Sequence, residues 1–294
     1  MSGDNPGTNI TLAGDWSKPA NTLIEKICSA LGGYFEPHQI RRIAHAKADA
    51  EKIAATAAIE VTELQQRALR RFVAEETKKQ DNMEAITAKA LPQIGENAKT
   101  ENVEDDWITN FFDKCRLISD QDMQVLWAKV LAGEANSPGL YSKRTVDFLG
   151  SLDKSDAGHF SALCGFCWML NGLTPLIYDP QGYIYNAHNI NFNTLTHLDD
   201  IGLVSFQPIA SFRLEKLPQL FLAHYYGTPF IVHLEHMHGC DIGNVLLTST
   251  GKELAPICDS KRIPGFLEFV LERWTSNGLV VSSPYPQQGN YPNE

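Results

Sequence analysis

Between Pro37 and Leu91 the chain runs without a glycine or a proline, and that stretch limits what it can fold into. Ile43, Ala46, Ala50, Ile53, Ala57, Val61, Leu64, Ala68 and Phe72 recur at intervals of three or four, an average step of roughly 3.6 residues, which is the period of a straight helix. The spacing predicts one long N-terminal helix. About 40 residues at about 1.5 Å each make a rod of roughly 60 Å, taller than the globule expected of such a chain. A rod of that length projects or meets a partner. Its alanine-rich stripe allows close approach, so these nine residues are the expected self-association face and the chain an expected homo-oligomer. A helix folded back on its own chain is the alternative. The opposite face mixes Arg67, Arg70, Arg71, Lys78 and Lys79 with Glu60, Glu63, Glu75 and Glu76, as a solvated face does.

Composition excludes several classes. Hydrophobic residues make up 43% of the 294 and charged residues 20%, which leaves no room for a wholly disordered chain, a fibrous repeat or a disulfide knot. The net charge is −10 and both halves are acidic, so a broad positive field for nucleic acid is missing. Six cysteines, Cys28, Cys115, Cys164, Cys167, Cys240 and Cys258, are scattered over the chain. The opening MSGDNPGTNITLAGDW has neither a basic start nor an apolar segment, and no apolar run reaches about 18 residues. A cytoplasmic protein is the expectation.

Along the chain, residues 1–16 read as a flexible N-terminus. Ser17 and Pro19 then start an amphipathic helix carrying Leu23, Ile24, Ile27 and Leu31. Residues 19–31 also allow a membrane-surface contact, against which Glu25 and Lys26 weigh because they leave the polar face without cationic excess. Residues 17–92 thus hold the amphipathic and long helices, and 93–102 read as a linker. Over 103–172 four amphipathic signals need one another for burial and predict a helical bundle, with starts near Asn102–Asp105, Ser119, Ser142 and Ser155. The period then changes. Leu176–Tyr178 with Tyr183–Tyr185 read as one hairpin, and Phe221–Tyr226 with Phe230–His236 as a second, around Gly227. A helix over Asn191–Gly202 runs into a strand. A Thr-capped helix reaches Leu254, and a last helix carries Phe266 to Trp274. Residues 173–281 therefore read as a small α+β module of winged-helix-like order, and 282–294 as a mobile tail. The fold class is mainly α with a small α+β part.

LWAKVLAGE (126–134), SPGLYSKRT (137–145), SKPANTLIEKI (17–27) and EPHQIRRIAHAKADAEKI (36–53) together resemble an uncharacterised bacterial family, domain-of-unknown-function family 2806. That resemblance carries no catalytic residues. LTHLDDIGLV (195–204) and LLTSTGKEL (246–254) resemble winged-helix-like segments, including the end of an abortive-infection family of phage defence. The likeness implies a role in phage defence, and, as an alternative, DNA binding. Asp199 and Asp200 in the would-be recognition helix repel phosphate and weigh against DNA.

Few constellations could carry chemistry. Cys164-Gly-Phe-Cys167 shares a stripe with Phe160 and Leu163 and reads as core cysteine. In VHLEHMHGC, His236, His238 and Cys240 could converge on a zinc ion, whereas His233 points away on a regular strand. Glu104, Asp105 and Asp106 are explained by a helix start. Trp107, Trp127, Trp168 and Trp274 read as core. No nucleophile elbow, phosphate loop, dinucleotide fingerprint or H-E-x-x-H is present. The expectation is a non-enzymatic, self-associating interaction protein with no cofactor and an unidentified protein partner. A winged-helix regulator and a metal-dependent enzyme at 233–240 are its rivals.

Overall fold

In the computed structural model, which describes residues 16–32, 62–234 and 239–283, helix α1 (Lys18–Leu31) is started by the Ser17 side chain and closed by Gly32 at φ 62°. Leu23, Ile24 and Ile27 are buried against α3 (Asp105–Cys115) and the turn Thr100–Asn102. Lys26 Nζ donates to the Glu101 and Val103 carbonyls at 2.9 and 2.6 Å. Protein covers the apolar face that the sequence had also offered to a membrane surface.

Helix α2 (Glu63–Ala90) corrects the long rod. Thr62 is extended at φ −62°, ψ 155°. Its hydroxyl accepts from the Gln65 amide at 3.4 Å while its own amide donates to Gln65 Oε1 at 2.9 Å. This reciprocal cap starts a helix, so no single helix crosses residues 43–72. The readings placed on Ile43, Ala46, Ala50, Ile53, Ala57 and Val61, on residues 1–15 and on 284–294 lie outside the described residues.

The first compact unit ends at Lys143. Within it α2 packs on α4 (Gln121–Asn136), which Asp120 caps through the Asp122 and Met123 amides. Trp107 stacks on Phe111 and Trp127 meets Phe111 edge-on, both at 5.1 Å between ring centroids. The bundle expected from 103–172 is therefore built from α1 to α4, because α1 and α2 cover the stripes of α3 and α4. The stretch 93–102 lies inside this unit. Asn136 fixes it by accepting from the Gly95 amide at 2.8 Å and donating to the Gln93 carbonyl at 3.0 Å.

From Arg144 a second unit begins, with most of α5 (Lys143–Ser151) and then α6 (Lys154–Cys164). The expected fourth helix was to include Cys167. It stops at Cys164 because Gly165 lies so close to the 261–263 segment that a Cβ would stand 2.8 Å from the Lys261 carbonyl oxygen. Cys167 and Trp168 consequently sit in strand β1 (Cys167–Met169), paired with β2 (Leu173–Pro175). The first expected hairpin is also absent. Its second arm is the helical turn α7 (Tyr183–Asn186), and the Tyr185 hydroxyl donates to the Leu176 carbonyl at 2.8 Å where a strand partner was expected.

Helix α8 (Phe192–Asp200), capped by Asn191, leads through Gly202 at φ 85° into β3 (Val204–Phe206), while β4 (Phe212–Glu215) starts a separate ribbon. The second hairpin forms with a tighter turn than read: β5 (Leu220–Tyr225) and β6 (Thr228–His233) join through Tyr226 and Gly227 at φ 46° and 80°, the positive pair a tight hairpin turn demands, and Thr228 and Pro229, read as turn, lie in β6. Then come β7 (Gly239–Gly243) on β4, β8 (Val245–Leu247) on β3, α9 (Ser249–Leu254) capped by Thr248, α10 (Phe266–Ser276) and β9 (Val280–Ser282). The largest sheet has the order β2-β1-β5-β6-β9. On its inner face Trp168 stacks on Tyr225 at 5.2 Å and meets Trp274 of α10 at 4.9 Å. Alternation puts Met169, Leu220, Leu222, Ile231 and Val280 on the outer face, where the registers Leu220↔His233↔Val280 and Met169↔His224 align them.

Tyr225 ties this unit together. Its hydroxyl donates to the Gly165 carbonyl and accepts from the Ile263 amide, both at 2.9 Å. Tyr225→Phe leaves both backbone groups unpaired, and the expected loss is about 2 kcal/mol by urea unfolding at pH 7. Burial pushes the phenol up to about 12. A folded value above the unfolded one keeps its stabilisation intact below about pH 10 and loses it as pH rises through about 12. The Phe variant should lack that alkaline decline.

Candidate functional site

Two places concentrate features that the core does not require. The first is α2. Its C-terminal half is seated: Asn82, Ile86, Thr87 and Ala90 are buried, Asn82 Nδ2 donates to the Arg116 carbonyl at 2.8 Å, and Lys89 Nζ donates to Gln124 Oε1 at 2.8 Å. Desolvation lowers the Lys89 pKa. Its N-terminal half is bare, with Leu64 68%, Leu69 38% and Phe72 60% exposed. Leu64, Ala68 and Phe72 each precede Asn82, Ile86 and Ala90 by 18 residues, which is about five turns at 3.6 residues per turn. The exposed triplet is therefore the buried seam continued along the same helix face. Glu63 with Arg67 and Arg71 with Glu75 form i,i+4 ion pairs of 3.8 and 3.6 Å beside it, which reinforce the helix rather than recruit a ligand. Of the nine residues read as a self-association face, the structure thus describes three and leaves Leu64 and Phe72 open to solvent.

The second place is the loop after α4. Gly139 and Tyr141 amides donate to the two carboxylate oxygens of Glu134 at 2.6 and 2.9 Å. Trp107 Nε1 donates to the Tyr141 carbonyl at 2.8 Å. A Cβ on Gly133 would stand 2.6 Å from the Tyr141 ring, so the glycine lets the ring close over the helix end. The loop borders a cleft of about 840 Å³ lined by Lys99, Glu104, Trp107, Glu134, Tyr141 and Lys143 among others. Burial raises the Glu134 carboxyl pKa against the downward pull of its amide bonds, and the Glu104 carboxylate pushes it up as well. Both Glu134 oxygens are nevertheless committed to the loop, as both amide atoms of Asn136 are to 93–95. The arrangement braces a loop.

The other sequence candidates separate. His236 and His238 lie outside the described residues. Cys240 is buried on β7, its thiol pushed up to about 12 by burial first and by Asp241 second. His224 and His233 share the outer sheet face but stand opposite Pro229 and Leu220, four residues apart along the hairpin. Among the described residues no group of three His, Cys, Asp or Glu could hold a metal ion. Cys164 and Cys167 are core, as read, and the thiol of Cys258 joins Cys164. Asp156 and His197 pair at 2.9 Å between α6 and α8. The four tryptophans Trp107, Trp127, Trp168 and Trp274 are all buried. No described helix is long and apolar enough to cross a membrane.

Sequence reasoning missed Glu134, Asn136 and the outer sheet residues. The spacing of Glu134 from the Gly139 to Tyr141 turn was the available signal for the first.

The structure defines a mainly helical protein with a small antiparallel α+β part and a loop braced by Glu134. The chain belongs to the family described as "Protein of unknown function (DUF2806)", whose profile matches residues 66–270, from the first turn of α2 into α10. No curated protein and no solved structure matches it. The abortive-infection likeness of the C-terminal segments does not recur in these comparisons.

Proposed function

We propose that this chain is a non-enzymatic interaction protein that associates with further copies of itself through the N-terminal half of α2. One observation carries the reading: the face that seats α2 on its own unit at Asn82, Ile86 and Ala90 repeats, five turns away, as exposed Leu64, Ala68 and Phe72. Burying a leucine or phenylalanine side chain is worth roughly 2 kcal/mol, so an uncovered seam of this kind marks a contact surface.

Light-scattering mass on the full chain tests it. The wild type should exceed the 32.7 kDa of one chain, with mass rising with concentration. Phe72→Glu should return the monomer without loss of helix signal, because Phe72 is 60% exposed and lies outside the buried part of α2. A wild-type mass of one chain at every concentration would defeat the reading. Phage defence rests on the C-terminal likeness alone, and plaque counts on bacteria with and without the intact seam test it.

A further inference from the structure

We propose that Asn171, at the tip of the β1–β2 hairpin, is a site of spontaneous modification: in the folded protein its side-chain amide is lost by deamidation, leaving aspartate and isoaspartate. The sequence holds two Asn-Gly pairs, Asn171-Gly172 and Asn277-Gly278. Such a pair is the least hindered setting for attack of a backbone nitrogen on the preceding side chain, because glycine brings no Cβ against it. Both asparagines are exposed, so exposure does not separate them. The state of the amide that follows each one does.

At the first pair, Met169 faces Leu173 across the ladder, so Leu170, Asn171 and Gly172 make the whole turn. That turn uses the Gly172 carbonyl twice, accepting from the Leu170 amide and from the Thr174 hydroxyl, both at 3.1 Å. The Gly172 amide, in contrast, donates to no acceptor among the described residues. Gly172 is exposed at φ 121°, and no neighbouring group stands within 4 Å of where its Cβ would be, so this peptide can turn toward the Asn171 side chain without a clash. At the second pair the Gly278 amide donates to the Thr275 carbonyl and the Asn277 amide to the Arg273 carbonyl, both at 3.0 Å, closing α10. Attack from Gly278 has to break that cap first.

The chemistry needs only water and hydroxide. Hydroxide takes the Gly172 amide proton, the nitrogen attacks Asn171 Cγ, an N–C bond forms, and the side-chain nitrogen leaves with a further proton as ammonia. The product is a cyclic imide. Water then adds to one of its two carbonyls and the C–N bond there breaks. Opening at Cγ gives aspartate; opening at the main-chain carbonyl gives isoaspartate, whose backbone runs through the side chain. Nothing is oxidised or reduced. Either product places a new negative charge two residues from Met169, which is 46% exposed on the outer sheet face. Isoaspartate also lengthens the main chain of a turn that closes on the Gly172 carbonyl.

Ageing the full chain at pH 8 tests the site, read by peptide mapping with tandem mass spectrometry and by enzymatic methylation of isoaspartate. Aspartate and isoaspartate should accumulate at 171 at least about tenfold faster than at 277, because the Gly278 amide reacts only when the α10 cap opens. In concentrated urea, where both pairs lie in open chain, that advantage should vanish. Asn171→Gln should remove the fast signal and keep the wild-type circular dichroism spectrum, whereas Asn277→Gln should leave the fast signal in place. A folded wild type in which 171 keeps its amide as long as 277 overturns the proposal. An advantage of 171 that persists in urea overturns it as well, since the neighbouring sequence and not the turn would then set the rate.

Discussion

Gly243→Ala should destabilise the protein by roughly 3–5 kcal/mol, the largest effect expected of any single methyl group added to this chain. Two causes add. Gly243 sits at φ 86°, a left-handed conformation that costs a side chain about 1 kcal/mol. Its backbone also bridges Ile177 in parallel, and a Cβ would run into the Ile177 carbonyl oxygen and carbon, with the Tyr178 nitrogen at 2.9 Å. None of these atoms is the free end of a side chain, so only backbone movement relieves the clash. That movement would break the Asn244 amide bond to the Ile177 carbonyl at 2.7 Å. It would also break the Asn244 side-chain bonds to the Gln207 and Ala210 carbonyls, both at 2.9 Å. Gly278→Ala separates the causes, since Gly278 has φ 85° and nothing within 4 Å of its Cβ. It should cost only about 1 kcal/mol. Urea unfolding of both variants checks the pair, and equal midpoints would mean that the close approach contributes nothing.

Such close approaches are what a sequence conceals. A glycine in GCDIGN looks like any turn glycine until Ile177, more than sixty residues earlier, is placed against it. Period, in contrast, was readable wherever one element has one buried face. The stripes of α1, α3, α4, α8 and α10 and the β5–β6 hairpin follow from spacing and punctuation. Where reading by period failed, a local signal was present and was outweighed. Thr62-x-x-Gln65 is a helix start, but the apolar repeat runs through it without a phase change and hides the break. Gly165 follows an apolar stripe whose spacing Cys167 continues, and the approach of the Lys261 and Ile263 segment ends α6 at Cys164.

The candidate surfaces were half legible for a related reason. Leu64, Ala68 and Phe72 stood out by spacing, yet spacing does not say which part of a stripe a protein covers; α4 covers the end near Ile86 and leaves the other bare. The outer sheet face was invisible. In LFLAHY both alternating rows are largely apolar, so no polar row marks the outside. The polar groups of the interior were opaque as well, because Asn82 and Asn136 bond to backbone carbonyls and amides more than thirty residues away, partners that no side-chain motif announces.

Glu134→Ala should cost about 4 kcal/mol, because the buried carboxylate is the partner of the amides of Gly139 and Tyr141, with Leu140 close by, and unpaired buried donors cost about 1–3 kcal/mol each. The loop also holds the Tyr141 carbonyl for Trp107, so the loss spreads into the aromatic core of the first unit. The pH dependence has a definite sign. Burial raises the carboxyl pKa above its usual 4.5 in the folded state, so the folded chain holds this proton more tightly than the unfolded one. Stabilisation from this group is therefore complete below about pH 4.5 and is lost as pH rises through the folded value. Glu134→Gln removes the titration while keeping one acceptor for the Gly139 amide, at the cost of turning an amino group toward the Tyr141 amide. Its stability should sit between wild type and the Ala variant at pH 7. The difference between Gln and wild type should widen as pH falls toward 4.5, where the protonated glutamic acid regains what the charged form gave up. Urea midpoints at pH 7 and pH 5 measure both effects. A Glu134→Ala variant within 1 kcal/mol of wild type would mean that the loop holds its shape without the brace, and the link between LWAKVLAGE and SPGLYSKRT would need another physical cause.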